Sequence, residues 1–238
     1  MLTVAVLAGG LGTRLRSLTG DLIPKVMAPV LGRPFIDRKL AGLSAAGVER
    51  VVLLIGHRGE QIKARVGDGE RYRLQVSYVE DGPALRGTGG ALRHALDASG
   101  DALGDAFWVT YGDTLLEVPM REAEAVFAGS GHTGLMTVLH NRGDYEPSNV
   151  CVESGLVVEY AKDPRPLRAD FIDYGMLAFR REAFTAWPYG EAFDLGAVLE
   201  SLIARRSMLA FEVKERFHDI GTVEALQETE AFLRSRNG

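Results

Sequence analysis

Leu2-Thr3-Val4-Ala5-Val6-Leu7-Ala8-Gly9-Gly10-Leu11-Gly12-Thr13-Arg14-Leu15 decides the fold. Its first part is a continuous apolar run rich in β-branched residues, which reads as a buried strand from Leu2 to Leu7. Gly9, Gly10 and Gly12 end that strand, let the backbone approach a ligand closely and can aim several N–H groups at phosphate oxygens. Cations follow at Arg14 and, after Pro24, at Lys25. A polyphosphate carries more negative charge than backbone dipoles alone can balance. Arg14 can fork two donors onto non-bridging oxygens, while Lys25 supplies a compact point charge. Two better-known glycine loops are disfavoured. A Walker loop needs Gly-Lys-Ser/Thr, whereas Gly12 precedes Thr13-Arg14. A dinucleotide fingerprint needs glycine or alanine at Leu15 and an acid closing the second strand, where His57 and Arg58 stand. That argues against a nicotinamide-dependent oxidoreductase.

Outward from this loop, apolar residues at helical spacing (Phe35, Ile36, Leu40, Leu43) predict a helix over Phe35 to Ala46, stopped by Gly47. Arg50 to Ile55 and Gln75 to Val79 read as strands with a short helix, Glu60 to Val66, between them. Gly87 to Gly90 precede a helix over Ala91 to Ala98, and Ala106 to Tyr111 forms a fourth strand ending at Gly112-Asp113. Such alternation predicts a parallel sheet covered on both faces, hence an α/β class. Beyond residue 115 the pattern becomes β-rich: Gly134 to Leu139, a hairpin over Val150 to Tyr160 turning at Ser154-Gly155, and Tyr174 to Phe179. Helices return at Leu195 to Ala204 and Val223 to Arg234. No repeat or long linker separates the halves, so residues 1–238 are expected to form one domain, with a nucleotide half (1–115) and an acceptor half (116–238).

Composition narrows the function further. With 238 residues, a formal charge of -5 and no dense basic block, the chain does not read as a general nucleic-acid binder. Hydrophobic residues at 46% suffice for a sizeable core. The apolar start is too short for a membrane span and lacks the basic flank of a signal peptide. Cys151 is the single cysteine, which excludes an internal disulfide and fits a reducing cytoplasm. It reads as a small core residue. His57, His94, His132, His140 and His218 show no metal spacing and read as structural or exposed. Asp113 stands apart, because a carboxylate at the end of a central parallel strand points into the crevice where open α/β sheets bind ligands.

Ala8-Gly9-Gly10-Leu11-Gly12-Thr13-Arg14-Leu15, followed by Pro24-Lys25-Val26-Met27-Ala28-Pro29-Val30 and Gly32-Arg33-Pro34, resembles the signature of the sugar-1-phosphate nucleotidyltransferases. Gly87-Thr88-Gly89-Gly90-Ala91 and Asp219-Ile220-Gly221-Thr222 look most like the heptose 1-phosphate and mannose-1-phosphate guanylyltransferases. The resemblance implies a Rossmann-like mixed, mostly parallel sheet flanked by helices, with a β-rich acceptor half. It also implies Mg²⁺-dependent transfer of a nucleoside monophosphate from an NTP to a sugar 1-phosphate, releasing pyrophosphate. GTP and a manno-heptose 1-phosphate are the expected substrates. A uridylyltransferase acting on an amino-sugar phosphate, such as N-acetylmuramate 1-phosphate, is the alternative, and a catalytically silent nucleotide sensor is the non-enzyme alternative.

The same resemblance assigns residues. Arg14, Lys25 and Asp113 are expected to be catalytic. Leu7, Ala8, Gly9, Gly10, Gly12, Thr13, Arg14 and Gly112 would hold the nucleotide, and Glu80, Gly87 and Thr88 the base. Glu80 suits guanine, whose edge offers two adjacent donors. Asp113 and Asp219 would bind the magnesium, which needs only one or two protein carboxylates besides substrate phosphates. Helix capping is the competing role for Asp219. On the acceptor side, Lys25, Asn149, Lys162, Asp173 and Gly175 would contact the sugar phosphate; turn or cap roles stay open for Asn149 and Asp173. Relatives often have proline at Ser17, an acid at Ala161 and an asparagine-centred version of Asp173-Tyr174-Gly175, so the sugar stays open. A chain of this length is expected to lack the acyltransferase or β-helix extension of some relatives. Oligomerisation into homo-oligomers is left open.

Overall fold

The computed structural model describes residues 1–10, 12–15, 20, 22–82, 85–143 and 145–236, except for the side chain of Arg14. Strands β1 (Thr3–Leu7), β4 (Arg50–Ile55), β5 (Gln75–Glu80) and β6 (Ala106–Tyr111) are parallel, in the order β5-β4-β1-β6. The short strands β2 (Pro29–Val30) and β3 (Arg33–Pro34) form a separate ribbon between β1 and β4 in sequence. Helices α1 (Phe35–Ala45), α2 (Gly59–Val66) and α3 (Gly87–Ala98) make the crossovers.

Alternation along the strands sorts the core into two layers. Val4, Val6, Val51, Leu53, Ile55 and Trp108 face one side, packing with Ile36 and Leu40 of α1 and Ile62 and Val66 of α2. Ala5, Val52, Leu54, Phe107 and Val109 face the other, against Leu92, Ala95 and Leu96 of α3.

The second half completes the same sheet. After β7 (Thr114–Leu115) and α4 (Met120–Ser130), strands β8 (Gly134–His140), β9 (Val150–Glu153), β10 (Leu156–Tyr160) and β11 (Phe171–Arg180) follow. Helix α5 (Leu195–Ala204), β12 (Met208–Val213), β13 (His218–Asp219) and α6 (Val223–Arg236) end the chain. Strand β11 pairs antiparallel with β6, and the nine-stranded order is β5-β4-β1-β6-β11-β8-β12-β10-β9. A bulge lies between Asp173 and Leu177 of β11, where Gly175 has φ +86°. A side chain would be strained at that angle.

The sheet is thus mixed, as the resemblance implies: β5, β4, β1 and β6 run parallel, β12 runs parallel to β8, and the other pairings are antiparallel. The helix α4 and the strand β12 carry no clear expectation from the sequence, and α3 begins at Gly87 rather than Ala91. Among the described residues, no helix is long and apolar enough to cross a membrane.

Candidate active site

Strand order places the site. The chain leaves β1 for β4 and β5 on one side, then crosses to β6 on the other. Beyond the carboxyl ends of β1 and β6 lies the point where connections diverge, and open α/β sheets bind ligands there. A cavity of about 340 Å³ occupies it, with Leu7 to Gly10, Gly12, Thr13, Lys25 and Asp113 in its wall. Val26, Leu54, Asp81, Leu85, Gly87, Thr88, Ala91 and Tyr111 complete the lining.

Backbone hydrogen bonds fix these ends. Ala8 N–H donates to the Leu54 carbonyl at 2.8 Å, and Gly112 N–H to that of Leu7 at 2.9 Å. Gly112 has to be glycine: a Cβ there would lie 2.8 Å from Val26 Cγ1 and 3.0 Å from the Leu7 carbonyl oxygen. Leu15 N–H donates to the Gly12 carbonyl at 3.0 Å, closing the turn Thr13–Leu15. Arg14 belongs to that turn, but the role expected of its side chain, like Leu11, lies outside the described residues.

Lys25 and Asp113 meet directly as an ion pair at the cavity. Asp219 reaches the same place through the short ladder β7–β13, where it pairs with Thr114, and Ile220 N–H donates to the Asp113 carbonyl at 3.0 Å. Burial raises the Asp219 pKa, and the neighbouring Asp113 charge adds to the rise; the Gly221 N–H and Lys25 oppose it. Two carboxylates that repel each other beside a cavity suit a hard divalent cation. Among the described residues no three His, Cys, Asp or Glu side chains converge, so a cation here would take the rest of its oxygens from substrate and water.

At the end expected to hold the base, the structure differs from the sequence expectation. Glu80 does not line the cavity; its side chain, 63% exposed, forms an ion pair with Lys63. Asp81, 8% exposed, points in instead, and burial raises its pKa. The period of two along β5 is the reason: Val79 is buried, Glu80 is turned out and Asp81 is turned back in. That alternation, read one residue further, was the signal available. Gly89 and Gly90 also serve packing, since both donate N–H to the Phe193 carbonyl, while Gly87 and Thr88 line the cavity. Thr88 Oγ1 accepts from Leu195 N–H at 2.8 Å, tying this wall of the cavity to α5.

On the acceptor side, Asn149, Asp173 and Gly175 gather at the β11 bulge. Asn149 Oδ1 accepts from Asp173 N–H at 2.9 Å, and Asp173 Oδ1 accepts from Gly175 N–H at 3.0 Å. The second is a turn-type bond within β11, while the first reaches across from the residue before β9, so both side chains shape the bulge. Burial raises the Asp173 pKa, against the Gly175 N–H, the Lys162 charge and a hydrogen bond from Tyr160. Lys162 is itself exposed. Tyr111 connects the two sides: it lines the cavity, and its hydroxyl pKa is raised by burial and by the charges of Asp173, Asp194 and Asp113.

Fold and site together define a Rossmann-like α/β protein with its pocket at the switch point of the sheet. The chain belongs to the nucleotidyl transferase family, whose profile matches residues 3–236. It is 38% identical over 237 residues to a glucose-1-phosphate thymidylyltransferase of Streptomyces griseus, covering 94% of this chain and 63% of that relative. It is 32% identical over 188 residues to a mannose-1-phosphate guanylyltransferase of Mycobacterium tuberculosis, covering 78% and 50%. An N-acetylmuramate alpha-1-phosphate uridylyltransferase of Neisseria meningitidis is 27% identical, covering 95% and 96%. The chain thus spans about half to two thirds of the length of the first two relatives and nearly all of the third. In fold it matches HddC from Yersinia pseudotuberculosis, solved with GMP-PN, at a TM-score of 0.77 and 24% identity, covering 98% of this chain and all of that one.

Proposed function

We propose that the chain is a magnesium-dependent sugar-1-phosphate nucleotidyltransferase. The observation that carries this reading is the meeting of Lys25 and Asp113 at the cavity walled by Gly9, Gly10, Gly12 and Thr13. The reaction needs no protein nucleophile. An ionised oxygen of the sugar phosphate attacks the α-phosphorus of the NTP in line; the bond to the β-phosphate oxygen breaks, and its electron pair leaves with pyrophosphate. Catalysis is then positioning and charge neutralisation. The N–H groups of the glycine loop and Arg14 hold the leaving pyrophosphate. Lys25 serves the α-phosphate and the incoming phosphate. Asp113 and Asp219 hold the divalent ion, whose chemistry is to neutralise charge on the α-phosphate and the leaving group. Asn149, Lys162, Asp173 and Gly175 receive the sugar phosphate.

For the nucleotide we favour GTP, with Asp81 rather than Glu80 as the acceptor of two adjacent guanine donors. The guanylyltransferase among the relatives and the GMP-PN bound to HddC support this choice. A manno-heptose 1-phosphate is the preferred acceptor. UTP with N-acetylmuramate 1-phosphate is the second reading, favoured by the length match to the Neisseria relative. The test is to offer each NTP with a panel of sugar 1-phosphates and identify the nucleotide sugar by mass. A GDP-heptose product supports the first reading and a UDP-amino sugar the second. NTP binding without any product would leave a nucleotide sensor.

A further inference from the structure

Lys39 is a lysine on the buried face of a helix. It lies among Phe35, Ile36, Leu40 and Leu43 of α1 and is 3% exposed. Lysine is rarely buried this far without a partner, because its nitrogen loses water that apolar neighbours cannot replace. The Lys39 Nζ donates to Thr110 Oγ1 at 2.8 Å and reaches Thr114 Oγ1 at 3.5 Å. These two hydroxyls flank Tyr111-Gly112-Asp113, one on β6 before the turn and one on β7 after it. Thr114 Oγ1 also donates to the Tyr111 carbonyl at 3.1 Å, and Thr114 is the residue paired with Asp219. A single amine thus braces both arms of the turn that presents Asp113. Otherwise the setting is mostly apolar: a void of about 30 Å³ beside Lys39 is walled chiefly by Leu43, Leu115, Leu116, Met120 and Met176. Burial lowers the Lys39 pKa to about 7, against the opposing pull of Asp113. Charged or neutral, the nitrogen keeps the two N–H donors that the two hydroxyls require. A methionine would fill the same space without the cost of burying an amine, so the polar group answers to a need other than packing.

We propose that Lys39 is a positioning residue for nucleotidyl transfer, bracing Thr110 and Thr114 so that Asp113 meets the divalent ion in a fixed direction. The inference rests on the reading of Asp113 and Asp219 as the cation pair. Lys39→Met removes the donors, and Lys39→Gln retains an amide donor. Mn²⁺ binding to the NTP-loaded protein, followed by electron paramagnetic resonance, is measured beside steady-state kinetics and thermal melting. Lys39→Met should melt no lower than the parent chain, yet bind Mn²⁺ and turn over roughly tenfold or more weakly, the usual loss for groups that orient a metal ligand. Its KM for NTP should stay within about twofold, the cavity walls being untouched, and Lys39→Gln should recover most of both losses. Parent-like Mn²⁺ binding and turnover in Lys39→Met, or losses that follow a lowered melting temperature and are not recovered by Lys39→Gln, would overturn the role. Failure of the parent chain itself to bind Mn²⁺ with NTP would instead remove the cation-pair reading, and this inference with it.

Discussion

Lys25 and Asp113 bring opposite charges to one point on the cavity wall, and the proposed chemistry runs through that point. Asp113→Asn keeps shape and removes charge, so the fold should survive while turnover falls by ~10²–10³-fold, the scale for losing one preorganised electrostatic group. Circular dichroism and a pyrophosphate assay check both halves of that statement. At the proposed base site the two neighbouring acids should separate cleanly. Asp81→Asn should raise KM for the preferred NTP and relax nucleotide choice, by about 1–3 kcal/mol if paired donors are left unmatched. Glu80→Gln should change either by less than about twofold, since an exposed ion pair contributes little. Equal effects from both substitutions would contradict the placement. Lys39 yields a prediction about stability. Folded, it holds its proton only to about pH 7, against an ordinary value of 10.5. Between those values the unfolded chain carries the extra proton, so this group makes stability rise as pH climbs through the window. From about pH 7 to about pH 9 the melting temperature of the parent chain should rise relative to that of Lys39→Met; parallel curves would count against it. Asp113 was legible from its place at a strand end. Lys39 was not, because nothing local distinguishes a lysine on the buried stripe of a helix from one beside it.

At the scale of elements, the turns after β1 and β6 set the precision of the site. Gly112→Ala would drive a methyl into Val26 and the Leu7 carbonyl, neither of which lies at the end of a long flexible chain. The expected cost is ~1–3 kcal/mol by the measure of overpacked cores, read from urea unfolding, together with loss of turnover. Unchanged stability would mean that the turn has room the packing denies. Strands β1, β4 and β6 were legible because parallel strands buried on both faces read as unbroken apolar runs. Of the glycines at the start of α3 only Gly87 was assigned to the nucleotide, and Gly89 and Gly90 are needed where the Phe193 backbone crosses. That contact joins residues more than a hundred positions apart, and no local pattern records it. The same holds for β12, whose place between β8 and β10 depends on partners distant in the chain.

In the whole molecule, nine strands from both halves make one sheet, and the switch between β1 and β6 puts the cavity at its centre. A separate cluster of Leu15, Ala28, Val30, Phe35, Ile220 and Leu226 ties the last helix to the segment after the glycine loop. Through it, Asp219, near the end of the chain, is carried to Asp113. The parallel half was legible as alternation of strand and helix, whereas the folding of the β-rich half onto β6 was not, because antiparallel pairing has no fixed sequence interval. The most direct test of the account is pyrophosphate release from NTP, with the sugar 1-phosphate and Mg²⁺ each supplied and withheld in turn. Release that requires all three together, with one nucleotide sugar formed per pyrophosphate, is the predicted result. Release that persists without the phosphosugar, or no release from any pairing although the NTP binds, would contradict it.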